Sequence, residues 1–342
     1  MEPQKRFEVL VAGRGPAGLA ASIALAERGI EVVSLAPVGA SPALARAEML
    51  SRAVEAILVR LGLGDVLARA VRLRGVERHW NGARRELQDG LSPDAVGPGW
   101  SVDRADLQEA LTTRAAALGV TEARGHVRGV DGQPGRWRVT LSDGDSLEAR
   151  FLVDATGRPA ALARRLGAKP RFGLPLLARV WTAMGPAPSR LVAKAEPDGW
   201  RYTLPHPAGG ASVGWLTRPG LVRDAPPGSA STRAQDARSM QLSPVAGPGW
   251  LAAGDSAAAF DPIASQGLFN ALSGGFFAGN AAADAVRGAQ ENITVYRLLT
   301  ERTAARTHRL IPSQYAASGY RTSFWAERAQ QTFLSKGVTY GL

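Results

Sequence analysis

The chain has 342 residues, of which 45% are hydrophobic and none is cysteine. This length and composition are typical of a globular protein with one large domain or two interwoven domains, and the lack of cysteine excludes disulfides, thiolate metal sites and a redox dithiol. The formal net charge is +11, but the basic residues are nearly all arginine and are scattered along the chain. We therefore expect no nucleic-acid partner, while an acidic partner or substrate stays open.

The first 25 residues superficially resemble a secretory signal, because Lys5 and Arg6 precede an apolar run. Gly13, Arg14, Gly15 and Pro16 interrupt that run, and the alternation before them is typical of a buried strand. The start therefore predicts the core of a cytoplasmic enzyme. No uninterrupted apolar stretch in the sequence reaches the length of a membrane span.

The N-terminal segment predicts a strand over 7–12, a helix over 17–28 and a strand over 31–35, with a glycine loop after the first strand. That loop is Gly13-Arg14-Gly15-Pro16-Ala17-Gly18. Its first glycine allows a tight turn, its second lets the backbone approach a pyrophosphate, and its third permits close packing of helix on strand. A βαβ unit that carries this loop predicts dinucleotide binding.

The second strand of this unit lacks the acid that usually binds the adenosine ribose, because the chain there is Ser34-Leu35-Ala36-Pro37. One interpretation is that backbone groups, Ser34 or Ser41 take over this contact. The other is a weakened or reoriented adenosine site.

Further along the chain, helical periodicity covers 43–70, and the sequence predicts a helix over 103–118 with Asp103 as its N-cap. Segments 127–130, 137–141 and 146–153 predict a small antiparallel meander. The other predicted elements are short strands over 176–216, a mobile or poorly packed connection over 218–235, a strand over 251–253 and helices from 281 onward.

Two later segments add polar residues and glycines at strand ends. The first contains Asp154-Ala155-Thr156-Gly157, and the second contains Gly254-Asp255-Ser256 and then Asp261-Pro262, Ser265-Gln266-Gly267 and Leu268. Asp255 could bond a ribityl hydroxyl, and a helix that begins at Gly267 would place its positive end beneath a flavin ring. Together with the glycine loop, these segments predict one FAD site.

These motifs resemble the FAD-dependent aromatic hydroxylases, the class A flavoprotein monooxygenases of para-hydroxybenzoate hydroxylase type. The resemblance spans essentially the whole chain and implies further FAD contacts from Arg46, Arg104 and Val127. The expected cofactor-binding residues are thus Gly13, Gly15, Pro16, Ala17, Gly18, Arg46, Arg104, Val127, Thr156, Gly157, Asp255, Pro262, Gln266, Gly267 and Leu268.

A closer resemblance is to the branch of tryptophan halogenase-like proteins and flavoproteins of quinone-cofactor maturation, carried by segments such as 97–104 and 324–328. Flavin-dependent halogenases pair a Trp-x-Trp-x-Ile-Pro segment with a catalytic lysine. This chain has no Trp-x-Trp and no lysine between Lys5 and Lys169, so halogenation is not expected.

Aromatic residues dominate the interposed segments and predict a pocket for a flat ring or hydrophobic side chain: Trp80, Trp181, Trp200, Tyr202 and Trp215. Strand alternation places Trp200 and Tyr202 on one face and Arg201 on the other. His206 and His79 are the candidate catalytic bases for a phenol or indole. No His, Asp and Glu cluster has the spacing of metal ligands, so no metal is expected.

The sequence as a whole predicts an α/β fold, in which a Rossmann-like FAD-binding domain is interwoven with an antiparallel-sheet substrate domain and followed by C-terminal helices. The predicted domain ranges are 1–75, 96–170 and 245–290 for FAD binding, 76–95 and 171–244 for substrate binding, and 291–342 for the helical segment.

The predicted function is a monooxygenase that transfers oxygen from a flavin hydroperoxide to a small aromatic or to a tryptophan of a partner polypeptide. NAD(P)H or a separate flavin reductase would supply electrons. The alternatives are an FAD-dependent reductase of isoprenoid-type double bonds and a maturation or binding flavoprotein that acts on a partner protein without small-molecule turnover.

Overall fold

The computed structural model describes residues 6–39, 46–80, 83–87 and 99–331. Ser41, the start of the predicted second FAD-binding segment at 96–98 and the tail 332–342 lie outside these ranges. The described α-helices are α1 (Pro16–Glu27), α2 (Glu55–Arg60), α3 (Arg104–Ala117), α4 (Gly267–Val286), α5 (Glu291–Ala316) and α6 (Ser323–Ala329). No helix in these ranges combines the length and apolar character that a membrane crossing requires.

The strands of the described residues fall into four sheets. In chain order they are β1 (Arg6–Ala12), β2 (Val32–Ala36), β3 (Ala47–Leu50), β4 (Val71–Arg72), β5 (Val76–Trp80), β6 (Ala83–Leu87), β7 (Trp100–Asp103), β8 (Thr121–Arg124), β9 (Val127–Gln133), β10 (Arg136–Leu141), β11 (Ser146–Asp154), β12 (Lys169–Phe172), β13 (Leu177–Ala183), β14 (Leu191–Glu196), β15 (Gly199–Pro205), β16 (Ala211–Thr217), β17 (Gln235–Asp236), β18 (Met240–Ser243), β19 (Ala246–Gly247), β20 (Trp250–Ala252) and β21 (Ala258–Ala259).

The first sheet has the strand order β19-β20-β11-β1-β2-β8, with β10 and β9 continuing from β11 as an antiparallel meander. Strands β20, β11, β1, β2 and β8 run parallel, so their carboxyl ends share one edge. The predicted βαβ unit and meander are therefore confirmed. The shared edge brings the three predicted cofactor segments together, because each of them follows β1, β11 or β20.

Helices α1 and α4 cover one face of this sheet and touch each other through small residues. A Cβ at Gly275 would overlap the carbonyl oxygen of Ala17, and a Cβ at Gly279 would lie 2.5 Å from the carbonyl oxygen of Ala21. The backbones of the two helices can approach this closely only because both positions lack a side chain. This contact holds the start of α4 beside the glycine loop.

The second large sheet has the order β17-β13-β16-β15-β14-β5-β6 and is antiparallel except where β14 meets β5. Helices α5 and α6 pack on it through an aromatic cluster of Trp80, Trp200, Tyr315, Phe324 and Trp325. The described residues therefore confirm the predicted fold class: an α/β domain with a Rossmann-like βαβ unit, an interposed and mainly antiparallel sheet, and C-terminal helices.

One local prediction is wrong. The segment predicted as helical over 43–70 contains β3 and only short helices, because Leu50 belongs to a strand that pairs with β7. A partner strand distant in sequence thus decides this segment. The connection over 218–235 contains no buried residue and little regular structure, as predicted for a poorly packed connection, although the Thr232 amide donates to the carbonyl of Val180.

Candidate functional site

The three glycines of the first loop have different surroundings. Gly13 has φ +111°, and a Cβ there would overlap the carbonyl oxygen of Ala155. A Cβ at Gly18 would overlap the carbonyl oxygen of Gly13, whereas a Cβ at Gly15 would meet nothing within 4 Å. Gly13 and Gly18 are therefore required by the packing of the loop, and Gly15 borders open space where a ligand can approach the backbone.

Asp154 organises the second segment at the end of β11. Its fully buried carboxylate accepts hydrogen bonds from the amide and hydroxyl of Thr156 and from the amides of Leu162 and Ala163. The hydroxyl of Ser256 donates to the same carboxylate at 3.1 Å and accepts from the Gly157 amide at 2.8 Å. Ser256 thereby joins the second segment to the third.

The third segment turns into α4 through Asp261. Its carboxylate accepts from the Ile263 amide at 3.0 Å and from the Tyr315 hydroxyl at 2.8 Å. Burial raises the pKa of Asp261, which these hydrogen bonds oppose. Ser265 then has a left-handed backbone with φ +51°, and α4 begins at Gly267. Asp261 is thus occupied in shaping the turn.

A cleft of about 1110 Å³ lies along the edge where the three segments meet. The predicted cofactor residues that line it are Gly13, Gly15, Pro16, Ala17, Arg46, Arg104, Val127, Thr156, Gly157, Asp255, Gly267 and Leu268. The start of α1 faces this cleft, and so does the start of α4. Both helix ends carry amides without intrahelical partners, which favour negative charge.

Three other predicted cofactor residues lie next to the cleft without lining it. Gly18 packs under the loop against Gly13. Pro262 lines a second cavity, described below, and the Gln266 side chain accepts a hydrogen bond from Thr307 at 3.1 Å. These residues shape the walls around the cleft.

A charged triad closes one part of the cleft. Glu48 accepts two hydrogen bonds from Arg46, at 3.0 and 2.8 Å, and pairs with Arg104 at 3.2 Å. Burial opposes ionisation of Glu48, but the two guanidinium groups outweigh burial and lower its pKa. Glu48 is therefore a carboxylate at neutral pH that orients both arginines.

The opposite end of the cleft is basic. This is the end of β2, where the sequence lacks the acid that usually binds the adenosine ribose. Ala36 lines the cleft there, and its register partner on β8 is Arg124. The hydroxyl of Ser34 is fully buried and does not reach the cleft, so the proposed substitution by Ser34 is wrong. Arg14 and Arg165 also line the cleft, which gives it a cationic character suited to phosphates.

A second cavity of about 340 Å³ opens between the large antiparallel sheet and the segment before α4. It shares part of its lining with the cleft, and we call this part the shared wall: Arg46, Glu48, Asp255, Gly267 and Leu268. Burial raises the pKa of Asp255, while Arg158, whose Nε lies 3.6 Å from the carboxylate, acts in the opposite direction. The cleft and the cavity are therefore adjacent at this wall.

Three of the predicted substrate-side aromatics line this cavity, namely Trp80, Trp200 and Tyr202. Burial raises the pKa of Tyr202 to about 12, so its hydroxyl is neutral at physiological pH. Trp181 and Trp215 do not line the cavity. They lie on the opposite face of the sheet, because side chains alternate along β13 and β16.

Neither predicted catalytic histidine lines the cavity. His79 lies on the opposite face of β5, with its Nε2 2.6 Å from Glu77. His206 is buried; its Nδ1 accepts from the Ala208 amide, which places the proton on Nε2, 3.3 Å from Asp103. His206 therefore contacts the N-cap residue of α3, and the geometry gives neither histidine access to a ligand in the cavity.

Two residues of the site were not predicted from the sequence, namely Glu48 and Gln108. Glu48 follows Arg46 by two residues, a spacing that places both on one face of a strand, but the segment was predicted to be helical. Gln108 lines the cleft from α3, and its amide donates to the carbonyl of Arg14 at 2.7 Å. Glu48 was not recognised because its segment was predicted to be helical. Gln108 belongs to no local sequence motif.

Residues 6–210 match the protein family described as "FAD binding domain", and this match covers more than half of the chain. The chain belongs to this FAD-binding family. It is an FAD-dependent oxidoreductase, and the cleft is its expected cofactor site.

Similar proteins include a menaquinone reductase of Mycobacterium tuberculosis, 27% identical over 298 residues, which covers 76% of this chain and 72% of the relative. The solved peptidyl tryptophan dihydroxylase QhpG has a TM-score of 0.74 at 24% identity, covering 96% of this chain and 80% of that one. The myxobacterial chondrochloren halogenase CndH has a TM-score of 0.81 at 20% identity, covering 95% and 86%. The resemblance to halogenase-like and quinone-maturation flavoproteins is thus confirmed at the level of the fold.

The residues of the cleft fit FAD in shape and charge. A Cβ at Gly15 or Gly267 would meet nothing within 4 Å, so both positions leave space for a close ligand. The cationic lining and the start of α1 suit a pyrophosphate, and the start of α4 lies at the shared wall, where a flavin ring would face the cavity.

Proposed function

We propose that this protein is an FAD-dependent monooxygenase that hydroxylates an aromatic substrate. The observation that carries the proposal is the shared wall, which the aromatic-lined cavity and the FAD cleft have in common at the start of α4. Bound FAD would supply the chemistry: reduced by two electrons from the donor, it would let one atom of dioxygen enter the substrate while the other takes up two protons and leaves as water.

The residues of the chain would contribute binding, orientation and exclusion of water. Trp80, Trp200 and Tyr202 would hold the substrate ring, and their apolar surroundings would keep bulk water from the reacting atoms. The amides at the start of α4 would stabilise negative charge on the reduced cofactor by about 0.3–2 kcal/mol. Glu48 would fix Arg46 and Arg104 at the wall between cofactor and substrate.

The reducing partner is part of the proposal. NAD(P)H bound transiently, or a separate flavin reductase, would deliver the two electrons. The substrate would be a small aromatic molecule or a tryptophan of a partner polypeptide. The latter choice is motivated by QhpG, whose described role is peptidyl tryptophan dihydroxylation in tryptophylquinone biogenesis.

The proposal is tested with purified protein reconstituted with FAD. We expect a stoichiometric flavin spectrum, and oxygen consumption with NAD(P)H or a flavin reductase that rises when a panel of phenols, indoles and tryptophan-containing peptides is added. A hydroxylated product should carry one atom of ¹⁸O from ¹⁸O₂. Failure to bind FAD, or product oxygen that comes only from water, would refute the proposal.

A second candidate function is a reductase of isoprenoid-type double bonds. It is favoured by the similarity to a menaquinone reductase over 76% of the chain. Anaerobic saturation of a prenyl double bond in a prenylated quinone, with no oxygen uptake in air, would support this candidate over the monooxygenase.

A further inference from the structure

Ser265 has a strained backbone at the edge of the substrate cavity. Its φ of +51° and ψ of 28° lie in the left-handed region, which a residue with a Cβ adopts only at a cost in free energy. A glycine would adopt these angles without that cost. The backbone alone therefore does not account for a serine at this position.

Contacts on both sides hold Ser265 in this conformation. Its amide donates to the carbonyl of Pro262 at 3.0 Å, which closes the turn before it. The side chain of the next residue, Gln266, accepts from Thr307 of α5 at 3.1 Å. Strain that the surrounding structure maintains in this way is concentrated at active sites and ligand-binding segments.

The hydroxyl of Ser265 is available to a ligand. Ser265 is only partly buried, and its hydroxyl makes no hydrogen bond to the residues that the structure describes. It lines the cavity two residues before Gly267 of the shared wall. The two acids of that wall, Glu48 and Asp255, are paired with arginines instead. A serine hydroxyl both donates and accepts, so Ser265 offers a neutral polar contact where the cavity adjoins the cleft.

The other contacts of the cavity with an aromatic ring are weakly directional. Trp80 and Trp200 present apolar surface, which holds a flat ring without fixing its rotation. A hydrogen bond is directional, so one such bond near the cleft would decide which edge of the ring faces the cofactor. The ring-borne donors that match the oxygen of a serine are a phenolic O–H and an indole N–H.

We propose that Ser265 determines the regiochemistry of the reaction: its hydroxyl accepts a hydrogen bond from a donor on the substrate ring, and this bond sets the ring position that is hydroxylated. This inference rests on the proposed function, since it assigns a role within the same cavity. The free energy lost to the left-handed backbone is thereby explained, because the serine supplies a contact that a glycine lacks.

The test uses two nearly isosteric probe pairs on the FAD-loaded protein: indole with benzothiophene, and 4-methylphenol with 4-fluorotoluene. Only the first member of each pair carries the donor. Dissociation constants are measured from the change in the flavin spectrum. The ratio of affinities within a pair is compared between proteins, because the different solvation of the two probes then cancels.

Ser265→Ala keeps the Cβ and removes only the hydroxyl. In at least one pair it should lower the preference for the donor-bearing probe about 3- to 10-fold, which is the scale of one neutral hydrogen bond. An unchanged ratio in both pairs, or no binding of any probe to the wild type, would overturn the inference.

Two further variants separate the hydroxyl from the backbone. Ser265→Gly also removes the hydroxyl but relieves the strain, so it should show the same fall in preference with a melting temperature at or above that of the wild type. Ser313→Ala is the matched control, because Ser313 is exposed on α5 and donates to the carbonyl of Leu310 at 2.8 Å. A fall in preference that Ser265→Ala shows and Ser265→Gly does not, or that Ser313→Ala shows equally, would contradict the role of the hydroxyl.

The outcome is distinguishable from failure of the proposed function. Donor-selective binding that depends on Ser265, with no oxygen-dependent turnover, would uphold the contact and refute the monooxygenase. Oxygen-dependent hydroxylation with the same product distribution and the same probe ratios in wild type and Ser265→Ala would do the reverse. If both proposals hold, Ser265→Ala should yield a broader mixture of hydroxylated positions than the wild type.

Discussion

Glu48 and Arg104 form an ion pair of 3.2 Å that joins β3 to the start of α3 at the wall between the cofactor cleft and the substrate cavity. Arg46 completes the triad from the other side. The three side chains are only about one-fifth to one-quarter exposed. Loss of one charge therefore costs more stability here than in an ion pair at the surface, because the remaining charges are poorly solvated. The triad is therefore a sensitive point for mutation.

Glu48→Gln leaves two cations without their carboxylate and should lower the free energy of unfolding by about 1–3 kcal/mol at pH 7. Since the folded-state pKa of Glu48 is lowered, its stabilisation is fully present above the unfolded pKa and is lost as the pH falls through the folded one. Urea unfolding between pH 7 and pH 3 measures this dependence. The variant should show a weaker loss of stability in acid than wild type, whereas Glu109→Gln, at an exposed position on α3, should behave as wild type.

Gly15→Ala should separate cofactor binding from folding. The new methyl group meets no protein atom within 4 Å and points into open space, so the apo-protein should keep its melting temperature. Its affinity for FAD should fall about tenfold or more, equivalent to ~1.4 kcal/mol. Fluorescence titration of apo-protein with FAD measures this change. Gly18→Ala is the contrasting variant and should destabilise the apo-protein itself, because its methyl group would overlap the carbonyl oxygen of Gly13.

Gly275→Ala should destabilise the fold by about 1–3 kcal/mol, since its methyl group would force α4 away from Ala17 of α1. Gly274→Ala is a stringent control on the same helix. A Cβ at Gly274 would lie at an ordinary contact distance of 3.7 Å, and alanine favours a helix over glycine by up to about 1 kcal/mol. Thermal unfolding of both variants should thus show opposite signs, and equal destabilisation would contradict the close helix contact.

His308 should make the protein sensitive to mild acid. It is buried on α5 against Phe260, and burial lowers its pKa to about 4. Its neutral form is favoured in the fold, so stability is complete above about pH 6.5 and falls by up to about 3 kcal/mol as the pH approaches 4. Denaturant titrations at several pH values across this range should show that the free energy of unfolding depends less on pH in His308→Phe than in the wild type. His126 is exposed, so His126→Gln should keep the pH dependence of the free energy of unfolding that the wild type shows.

His79→Gln should leave the hydroxylation rate and KM unchanged, because His79 faces away from the cavity toward Glu77. Trp200→Leu removes an aromatic wall of the cavity and should raise KM about tenfold, equivalent to ~1.4 kcal/mol. Steady-state kinetics with the substrate found in the oxygen-uptake screen compares the two variants. A large loss of kcat in His79→Gln would restore that histidine as a catalytic base and contradict its position here.

Sequence patterns were sufficient where the controlling interactions are local. The spacing of Gly13, Gly15 and Gly18 predicted the strand, turn and helix, and Asp103 is the N-cap of α3, where its carboxylate accepts from the Ala105 amide at 2.7 Å. Leu50 shows the limit of such patterns. Its helical spacing was overridden because β3 gains a full ladder of hydrogen bonds with β7, a strand about 50 residues away.

The sequence by itself determined that three glycine-containing segments follow strands of one parallel sheet, and hence that an FAD site lies at their carboxyl ends. It also determined that Trp200 and Tyr202 share a face opposite Arg201, since side chains alternate along any strand. Only the tertiary structure decided which face borders the cavity. Alternation is a local property, but the inner face is the one covered by α5 and α6, whose aromatic residues lie more than 100 positions away. That packing placed Trp215 and His79 outside the cavity and brought Arg78 inside.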